Sequence, residues 1–390
     1  MIESIKNFLN KFKLEIILFL TFIFSNLYDV NFFSRRTAIL TQFRYDSQIR
    51  NLWNDGMYLF YKALNYLIYA VSPRHNFFYL LPSIIISLLT VIISYVILNK
   101  WHGKIIGFLG SLLLVSSPIL LHLGRIQDYE INYILIIPII YFIYLLTRIT
   151  VDNRITYLIF FLYGVILLIP GGIFFVLLSV YLNKKILKSL VTNNFNFIKS
   201  ILLLFFGFYW IPLVINYLSE KSSNYLNLLG ISGFSNVNYK DLYTYFKPFN
   251  QVFVYGINRP TIWLHGTPLI DGSITILFVL GLYFYFRNLK ANRTKLIFGT
   301  LILSYLLSIL NTNFIFVFSI AVIFIAISGL HSLILLWNKY FPINKVAKGF
   351  AYSLIFILIF ISLIYNYRSY FVAWKYSQNS IVSFDLKPKN

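Results

Sequence analysis

The sequence predicts an all-α polytopic membrane protein with about eleven transmembrane helices. Composition is the first reason: 59% of the 390 residues are hydrophobic, 12% are charged, and the mean hydropathy is +0.75, far above that of a soluble domain. The second is a series of apolar runs, most of them near the length of about 20 residues that a membrane-crossing helix needs. The third is that Lys and Arg fall mainly in the short connections between these runs, as in multi-pass proteins.

The apolar runs give the predicted spans in chain order. The first run follows a basic start and has no small-residue cleavage site, so we expect it to be a retained span and not a signal peptide. Predicted spans lie near residues 14–28, 77–98, 105–122, 132–147, 200–217, 273–286, 296–310, 314–336 and 350–365.

One further segment, Tyr157 to Leu182, is long for a single span and contains Pro170-Gly171-Gly172 near its middle. A single crossing would place the basic loops around Arg148 and Lys184 on opposite sides, against the positive-inside rule. Two short helices that turn at Pro170 place both loops on the same side. We therefore predict a helical hairpin, which brings the count to about eleven, with the N-terminus inside and the C-terminus outside.

The acidic residues concentrate on the predicted outer side. Since Asp and Glu contribute little to orientation, we interpret this concentration as the sign of a functional site at the outer face. The outer carboxylates are Asp29, Asp46, Asp55, Asp128, Glu130, Glu220, Asp241, Asp271 and Asp385.

Residues 1–390 are expected to form a single transmembrane domain with two large outer loops. The first outer loop covers 28–76, the second covers 218–272, and an outer C-terminal tail covers 366–390. Loops of this length are usually functional or contain their own helices. Aromatic and aliphatic residues alternate with Arg and Lys in the first loop, and aromatics accompany basic residues in the second. We expect these loops to carry amphipathic juxtamembrane helices.

Residues 124–133, GRIQDYEINY, place charges between two apolar runs. Arg125, Asp128 and Glu130 lie at the junction of the third and fourth predicted spans, and Asp29 reaches the same face from the first span. An arginine can bind phosphate oxygens and stabilise a leaving phosphate, while a carboxylate can take a proton from an attacking hydroxyl or amine. A lipid-linked phosphosugar needs both groups. Solvated turn residues are the alternative interpretation of each side chain taken alone.

Other residues extend the candidate site. Asp128 and Glu130 are alternative ligands for a divalent cation, Mg²⁺ or Mn²⁺, because these ions prefer oxygen ligands. In the second outer loop, Lys240, Arg259 and His265 are candidate phosphate contacts amid a dense set of aromatic residues.

Several function classes are disfavoured. The chain has no cysteine, so thiol catalysis and cysteine-ligated metals are excluded. The motifs G-x-x-x-x-G-K-[ST], H-E-x-x-H and G-x-S-x-G do not occur, which argues against ATP-driven pumps, zinc proteases and serine hydrolases of the usual patterns. The net charge of +21 is spread over many short loops, which indicates contact with the lipid bilayer and not with nucleic acid.

Four motifs between residues 81 and 128 carry a family resemblance. They are Leu81-Pro82-Ser83 at the start of the second span, Trp101-His102-Gly103-Lys104 before the third, Ser117-Pro118 near its end, and the stretch from Arg125 to Asp128. In this pattern the chain resembles the GT-C membrane glycosyltransferases, nearest the protein O-mannosyltransferase and aminoarabinose transferase branch. The resemblance covers roughly residues 10–215, and the predicted hairpin at Pro170 resembles the broken short-helix pair of that family.

The resemblance implies an inverting enzyme that moves a sugar from a polyprenyl-phosphate carrier to a protein, lipid or glycan on the non-cytoplasmic face. Asp29 matches the first-loop acid of the family and is the first candidate for the base, followed by Asp128 and Glu130. Two departures are visible: Val30 follows Asp29 where a second acid is usual, and residues 56–59 replace the familiar K-P-P-L stretch. The setting expected is a prokaryotic plasma membrane.

Three alternatives remain open at this stage. A transporter or flippase of a lipid-linked substrate usually has ionisable residues near the bilayer midplane and internal repeats, whereas the charges here gather at one rim without an evident repeat. A polysaccharide polymerase or ligase also combines many spans with a large outer loop. A catalytically inactive membrane scaffold would retain the fold alone.

Overall fold

The computed structural model describes residues 12–29, 57–71, 78–126, 128–148, 153–192, 209–211, 214–215, 225–231 and 242–385. These residues form α-helices, short 3₁₀ and π-helical turns and loops, with no strand among them. The α-helices in chain order are α1 Lys13–Leu27, α2 Leu59–Val71, α3 Leu81–His102, α4 Lys104–Val115, α5 Pro118–Leu123, α6 Tyr133–Leu146, α7 Asn153–Leu167, α8 Gly172–Thr192, α9 Tyr225–Leu228, α10 Leu242–Asn250, α11 Gly272–Phe286, α12 Asn292–Leu310, α13 Phe314–Tyr340, α14 Lys345–Arg368 and α15 Gln378–Asp385.

Five helical segments in the described ranges are long and apolar enough to cross a membrane. They identify the chain as an integral, multi-pass, all-α membrane protein. The five segments are Leu81–His102, Tyr129–Leu146, Asn292–Leu310, Phe314–Tyr340 and Lys345–Trp374. The figure of about eleven spans is not confirmed by these segments and stays a prediction. Most of the predicted span at 200–217 lies outside the described residues.

Helix α13 forms the centre of the bundle. All but one of its residues from Phe314 to Ser332 are buried, and it packs against α11, α12 and α6. Glycines bring α11 and α13 close together: a Cβ on Gly281 would overlap the Ile325 carbonyl, and one on Gly329 would overlap the Leu277 carbonyl. Small residues at such crossings allow close backbone approach where lipid supplies no hydrophobic driving force.

The predicted helical hairpin is present. Helix α7 ends at Leu167 and α8 begins at Gly172, with Gly171 between them at φ +73°. This left-handed conformation suits glycine, which has no Cβ. The hydroxyl groups of Tyr163 and Ser179 lie 2.9 Å apart across the two helices, so the chain reverses direction as the basic loops predicted.

The two ends of the bundle carry different charged residues. Helix α1 begins near the ion pair of Glu15 with Lys104, at 3.0 Å, and runs to Asp29. The basic end is defined by Lys104, Arg148, Lys184, Lys290 and Lys295, and the carboxylate end by Asp29, Asp128, Glu130, Arg259 and Lys375.

Helices also occur in the two predicted outer loops. Helix α2 packs into the bundle, where the Tyr61 hydroxyl lies 3.1 Å from Ser83 Oγ. Helix α10 exposes Leu242 and Phe246. An orientation of these helices along the membrane surface stays a prediction.

Candidate functional site

The charged turn between α5 and α6 is held by the motifs that precede it. Ser117 accepts a hydrogen bond from the Leu120 amide and caps α5, and Pro118 starts that helix with the fixed φ that suits its first turn. Ser83 Oγ donates to the Ile126 carbonyl at 2.7 Å. A Cβ on Gly124 would lie only 2.6 Å from Ser87 Oγ. These contacts fix the turn that carries Arg125 and Asp128 against α3.

Arg125 lies inside this turn and is fully buried. Its guanidinium donates to the carbonyl groups of Ser25, at 3.4 Å, and Tyr28. The guanidinium carbon also lies 5.4 Å and 5.0 Å from the ring centroids of Tyr370 and Phe371. Arg125 thus joins the end of α1 to the segment after α14, and its bond to Tyr28 positions the neighbouring Asp29. A phosphate-binding role for Arg125 stays a prediction.

Asp29 pairs with Lys375 at the carboxylate end. The Lys375 ammonium donates a hydrogen bond to Asp29 Oδ2. The Lys375 side chain is 15% exposed and that of Asp29 is 30% exposed. The hydrogen bond to Asp29 raises the pKa of Lys375, so the lysine stays protonated at neutral pH. Asp29 has φ +54°, which is uncommon for a residue with a Cβ although Asp tolerates it better than most. Such backbone strain often accompanies functional positions.

Asp128 and Glu130 have different surroundings. Asp128 Oδ1 accepts a hydrogen bond from the Glu130 amide at 3.2 Å and so caps the 3₁₀ turn Tyr129–Asn132. Glu130 Oε1 forms an ion pair with Arg259 Nη1 at 2.7 Å. The Glu130 side chain is 9% exposed and that of Arg259 is 35% exposed. Arg259 Nη2 also donates to Thr312 Oγ1 at 3.0 Å. Arg259 therefore links the second outer loop to the α12–α13 connection.

The chain segments that carry Lys375 and Arg259 are in contact at the carboxylate end. Trp374, directly before Lys375, donates its indole N–H to the carbonyl of Pro260, directly after Arg259, at 3.1 Å. The buried ring of His122 packs against two tryptophan rings: its centroid lies 4.6 Å from that of Trp263 and 4.9 Å from that of Trp374. Aromatic packing and one indole hydrogen bond thus join the segment that contains Lys375 to the segment that contains Arg259.

A group of tyrosines covers the Glu130 side of the site. The hydroxyls of Tyr58 and Tyr133 lie 3.2 Å apart, and the rings of Tyr58 and Tyr129 lie 4.4 Å apart. Tyr58, in the stretch that replaces K-P-P-L, has φ +56° and donates its backbone N–H to the Leu168 carbonyl at 3.1 Å. The first loop and the α7–α8 hairpin therefore meet beside Glu130.

The structure brings together most of the residues singled out in the sequence. Asp29, Arg125, Asp128, Glu130 and Arg259 all lie at the carboxylate end. His265 is exposed in the loop after Arg259. Among the described residues it forms no ion pair with Asp29 or Glu130. Lys240 lies outside the described residues.

Two groups were not identified from the sequence. Lys375 lies in an aromatic segment, SYFVAWKYS, which comes after the last predicted span and has no motif that marks a site. Thr312 and Asn313 stand in a short polar interruption, NTN, between two long apolar runs. That interruption was the available signal, because a polar tripeptide between two spans marks a helix end at the rim.

The predicted divalent cation at Asp128 and Glu130 stays a prediction. No group of three or more acidic or histidine side chains suited to a metal lies in the described part of the chain. Glu130 is already neutralised by Arg259, and a cation beside that guanidinium would be repelled. No metal-dependent step is therefore assigned to Asp128 and Glu130.

Comparison with solved structures finds similar protein chains. No protein-family model matches the chain, and no curated protein matches it. The chain is similar to ArnT from Cupriavidus metallidurans, solved with undecaprenyl phosphate, at 13% identity and a TM-score of 0.42. The similarity covers 83% of this chain and 66% of that protein, so the chain spans just under two thirds of its length. ArnT belongs to the aminoarabinose transferase branch that the motifs resemble. At this identity and TM-score the likeness assigns no residue role, substrate or partner to this chain.

Proposed function

We propose that the chain is a glycosyltransferase that takes a sugar from a polyprenyl-phosphate carrier, with its site at the carboxylate end. The observation that carries the proposal is the partly exposed ion pair of Asp29 with Lys375, on a segment that the Trp374–Pro260 hydrogen bond joins to the segment of Arg259. A carboxylate and two cations at one rim are the groups that transfer from a sugar phosphate requires.

Lys375 and Arg259 are proposed to bind the carrier phosphate. An ammonium has three N–H donors and a guanidinium has five, so each can keep its carboxylate partner and still reach a phosphate oxygen. As the bond between the anomeric carbon and the phosphate oxygen breaks, negative charge grows on that oxygen. Fixed cations lower the energy of this transition state more than that of the bound donor.

Asp29 is proposed to act as the base. Its carboxylate accepts the proton of an acceptor hydroxyl or amine while that atom forms its bond to the anomeric carbon. The phosphate leaves from the opposite face, so a single displacement inverts the sugar configuration. Asp128 is disfavoured for this role because its Oδ1 caps a helical turn, and Glu130 because its side chain is only 9% exposed, against 30% for Asp29. The acceptor is proposed to be a protein, lipid or glycan.

The membrane orientation is part of the same proposal. Basic connections stay on the cytoplasmic side, so the carboxylate end is proposed to face the outer side of a prokaryotic plasma membrane.

The test is sugar release from a panel of polyprenyl-phosphate sugars by the purified full chain in detergent. Asp29→Asn is expected to reduce release by about 10²- to 10⁴-fold, the usual contribution of a positioned base. Asp128→Asn is the matched control, because asparagine caps a helical turn as well as aspartate does, and it should keep most of the activity. Release by neither the native chain nor any variant, from any donor, would reject the transferase proposal in favour of a transporter or scaffold.

A further inference from the structure

A second charged feature lies at the basic end, away from the candidate site. A cavity of about 390 Å³ opens between the end of α6, the middle of α8 and the start of α12. Its lining residues are Arg148, Tyr181, Leu182, Asn183, Lys184, Asn292 and Lys295. Three of them are cations, and no carboxylate lines the cavity in the described part of the chain.

The cations are supported in place. The Arg148 guanidinium lies 5.2 Å from the ring centroid of Tyr144, and the Lys184 ammonium lies 5.3 Å from that of Tyr181. Asn183, also in the lining, is 3% exposed, and its amide donates to the Ser179 carbonyl at 3.0 Å. None of the ion pairs between described residues involves Arg148, Lys184 or Lys295. Three like charges around one cavity repel one another and favour a bound anion.

The backbone at the start of α12 strengthens this preference. The residue before the helix is Ala291, which offers no side-chain cap, and the first turn contains no acidic residue. Lys295 stands in that first turn, where a cation is unfavourable against the positive end of the helix dipole. An anion in the cavity would offset both the uncapped amides and the lysine charge.

The exposed surface beside the cavity is apolar. Leu177 and Tyr181 on α8 are 58% and 66% exposed, in a helix that belongs to the transmembrane bundle. An acyl chain can lie along this surface while its headgroup enters the cavity. Basic pockets between transmembrane helices on the cytoplasmic side bind anionic lipid headgroups in this way.

We propose that the cavity formed by Arg148, Lys184 and Lys295 binds a phosphate group carried by an anionic membrane lipid. The site is independent of the transferase proposal, because it lies at the opposite end of the helices and shares no residue with the carboxylate end.

The test is lipid binding to the delipidated full chain in neutral detergent micelles, measured by native mass spectrometry. Phosphatidylglycerol and phosphatidylcholine are titrated separately, and inorganic phosphate is added as a competitor. The cavity variant combines Arg148→Gln, Lys184→Gln and Lys295→Gln. The matched control removes the same charge from exposed lysines at the same end, Lys290→Gln, Lys339→Gln and Lys345→Gln.

The native chain and the control should prefer phosphatidylglycerol, and the cavity variant should bind it about 10- to 100-fold more weakly. Equal weakening in both triple variants, or equal binding of the two lipids by the native chain, would overturn the proposal. Tighter binding of inorganic phosphate than of phosphatidylglycerol would reassign the cavity to a free anion. If the triple variant does not fold, Lys184→Gln and Lys295→Gln alone should each weaken binding about fivefold, and unchanged affinity in both would overturn the proposal.

Discussion

The two ends of the helix bundle handle charge in opposite ways. At the carboxylate end, Asp29 has Lys375 and Glu130 has Arg259 as partners. At the basic end, Arg148, Lys184 and Lys295 surround a cavity without a carboxylate in its described lining. Both arrangements stand at the rim of an otherwise apolar bundle, where charges cost less than at its centre.

Charge content alone therefore does not identify a catalytic end. Cations without carboxylates can bind an anion, but they cannot take a proton from an acceptor at neutral pH. A carboxylate with a cation beside it can serve both needs of transfer from a phosphate. Substitutions at the two ends should therefore have different consequences, which four experiments test.

The largest effect after loss of the base is expected at Lys375. Lys375→Met should reduce sugar release about 10²- to 10³-fold, because it removes a cation from the developing phosphate charge, and Lys375→Arg should restore part of it. Lys290→Met, an exposed lysine at the basic end, is the control and should leave release unchanged. Similar losses at Lys375 and Lys290 would show that overall positive charge, and not the paired site, supports activity.

A smaller effect on stability is expected at the hairpin that joins the two ends. Gly171→Ala should destabilise the chain by about 1–3 kcal/mol, because a Cβ there would overlap the Phe314 ring at a backbone conformation that alanine rarely adopts. Gly103→Ala is the control, since Gly103 has φ +89° with nothing within 4 Å of its added Cβ. Thermal unfolding in detergent measures both. Equal losses would assign the effect to backbone strain alone.

The Glu130–Arg259 pair should show a modest coupling. Because Arg259 is 35% exposed, solvent screens the pair, and we expect a coupling free energy of about 1 kcal/mol. A double-mutant cycle of Glu130→Gln and Arg259→Gln, followed by thermal unfolding, gives this value. Additive effects would mean that the pair does not hold the second outer loop, contrary to the described geometry.

The sequence predicted the fold through features that are local. Apolar runs, the break at Pro170 and the four motifs each act within a few residues: Ser117 caps α5, Ser83 holds the charged turn, and Gly171 reverses the hairpin. The positive-inside rule predicted Arg148 and Lys184 at the same end, and the two residues line one cavity there. Among the helix starts, that of α14 differs most: it begins at Lys345, five residues before the predicted span.

The candidate site was predicted in part. Asp29, Arg125, Asp128, Glu130 and Arg259 were identified because charge between apolar runs is conspicuous. Their pairing was not, since Lys375 and Arg259 lie 346 and 129 residues along the chain from their partners. Such contacts depend on how the helices pack. The cap formed by Asp128 could not be predicted either, because an Asp two residues before a Glu fits a metal site and a helix start equally well.

The most direct test of the central claim separates carrier binding from turnover in Asp29→Asn. This variant is expected to bind the polyprenyl phosphate carrier at least as tightly as the native chain while it loses sugar release, because one negative charge beside Lys375 is gone but the cations remain. Lys375→Met should lose carrier binding in the same assay. Weaker carrier binding by Asp29→Asn, in proportion to its loss of release, would make Asp29 a positioning residue and contradict its role as the base.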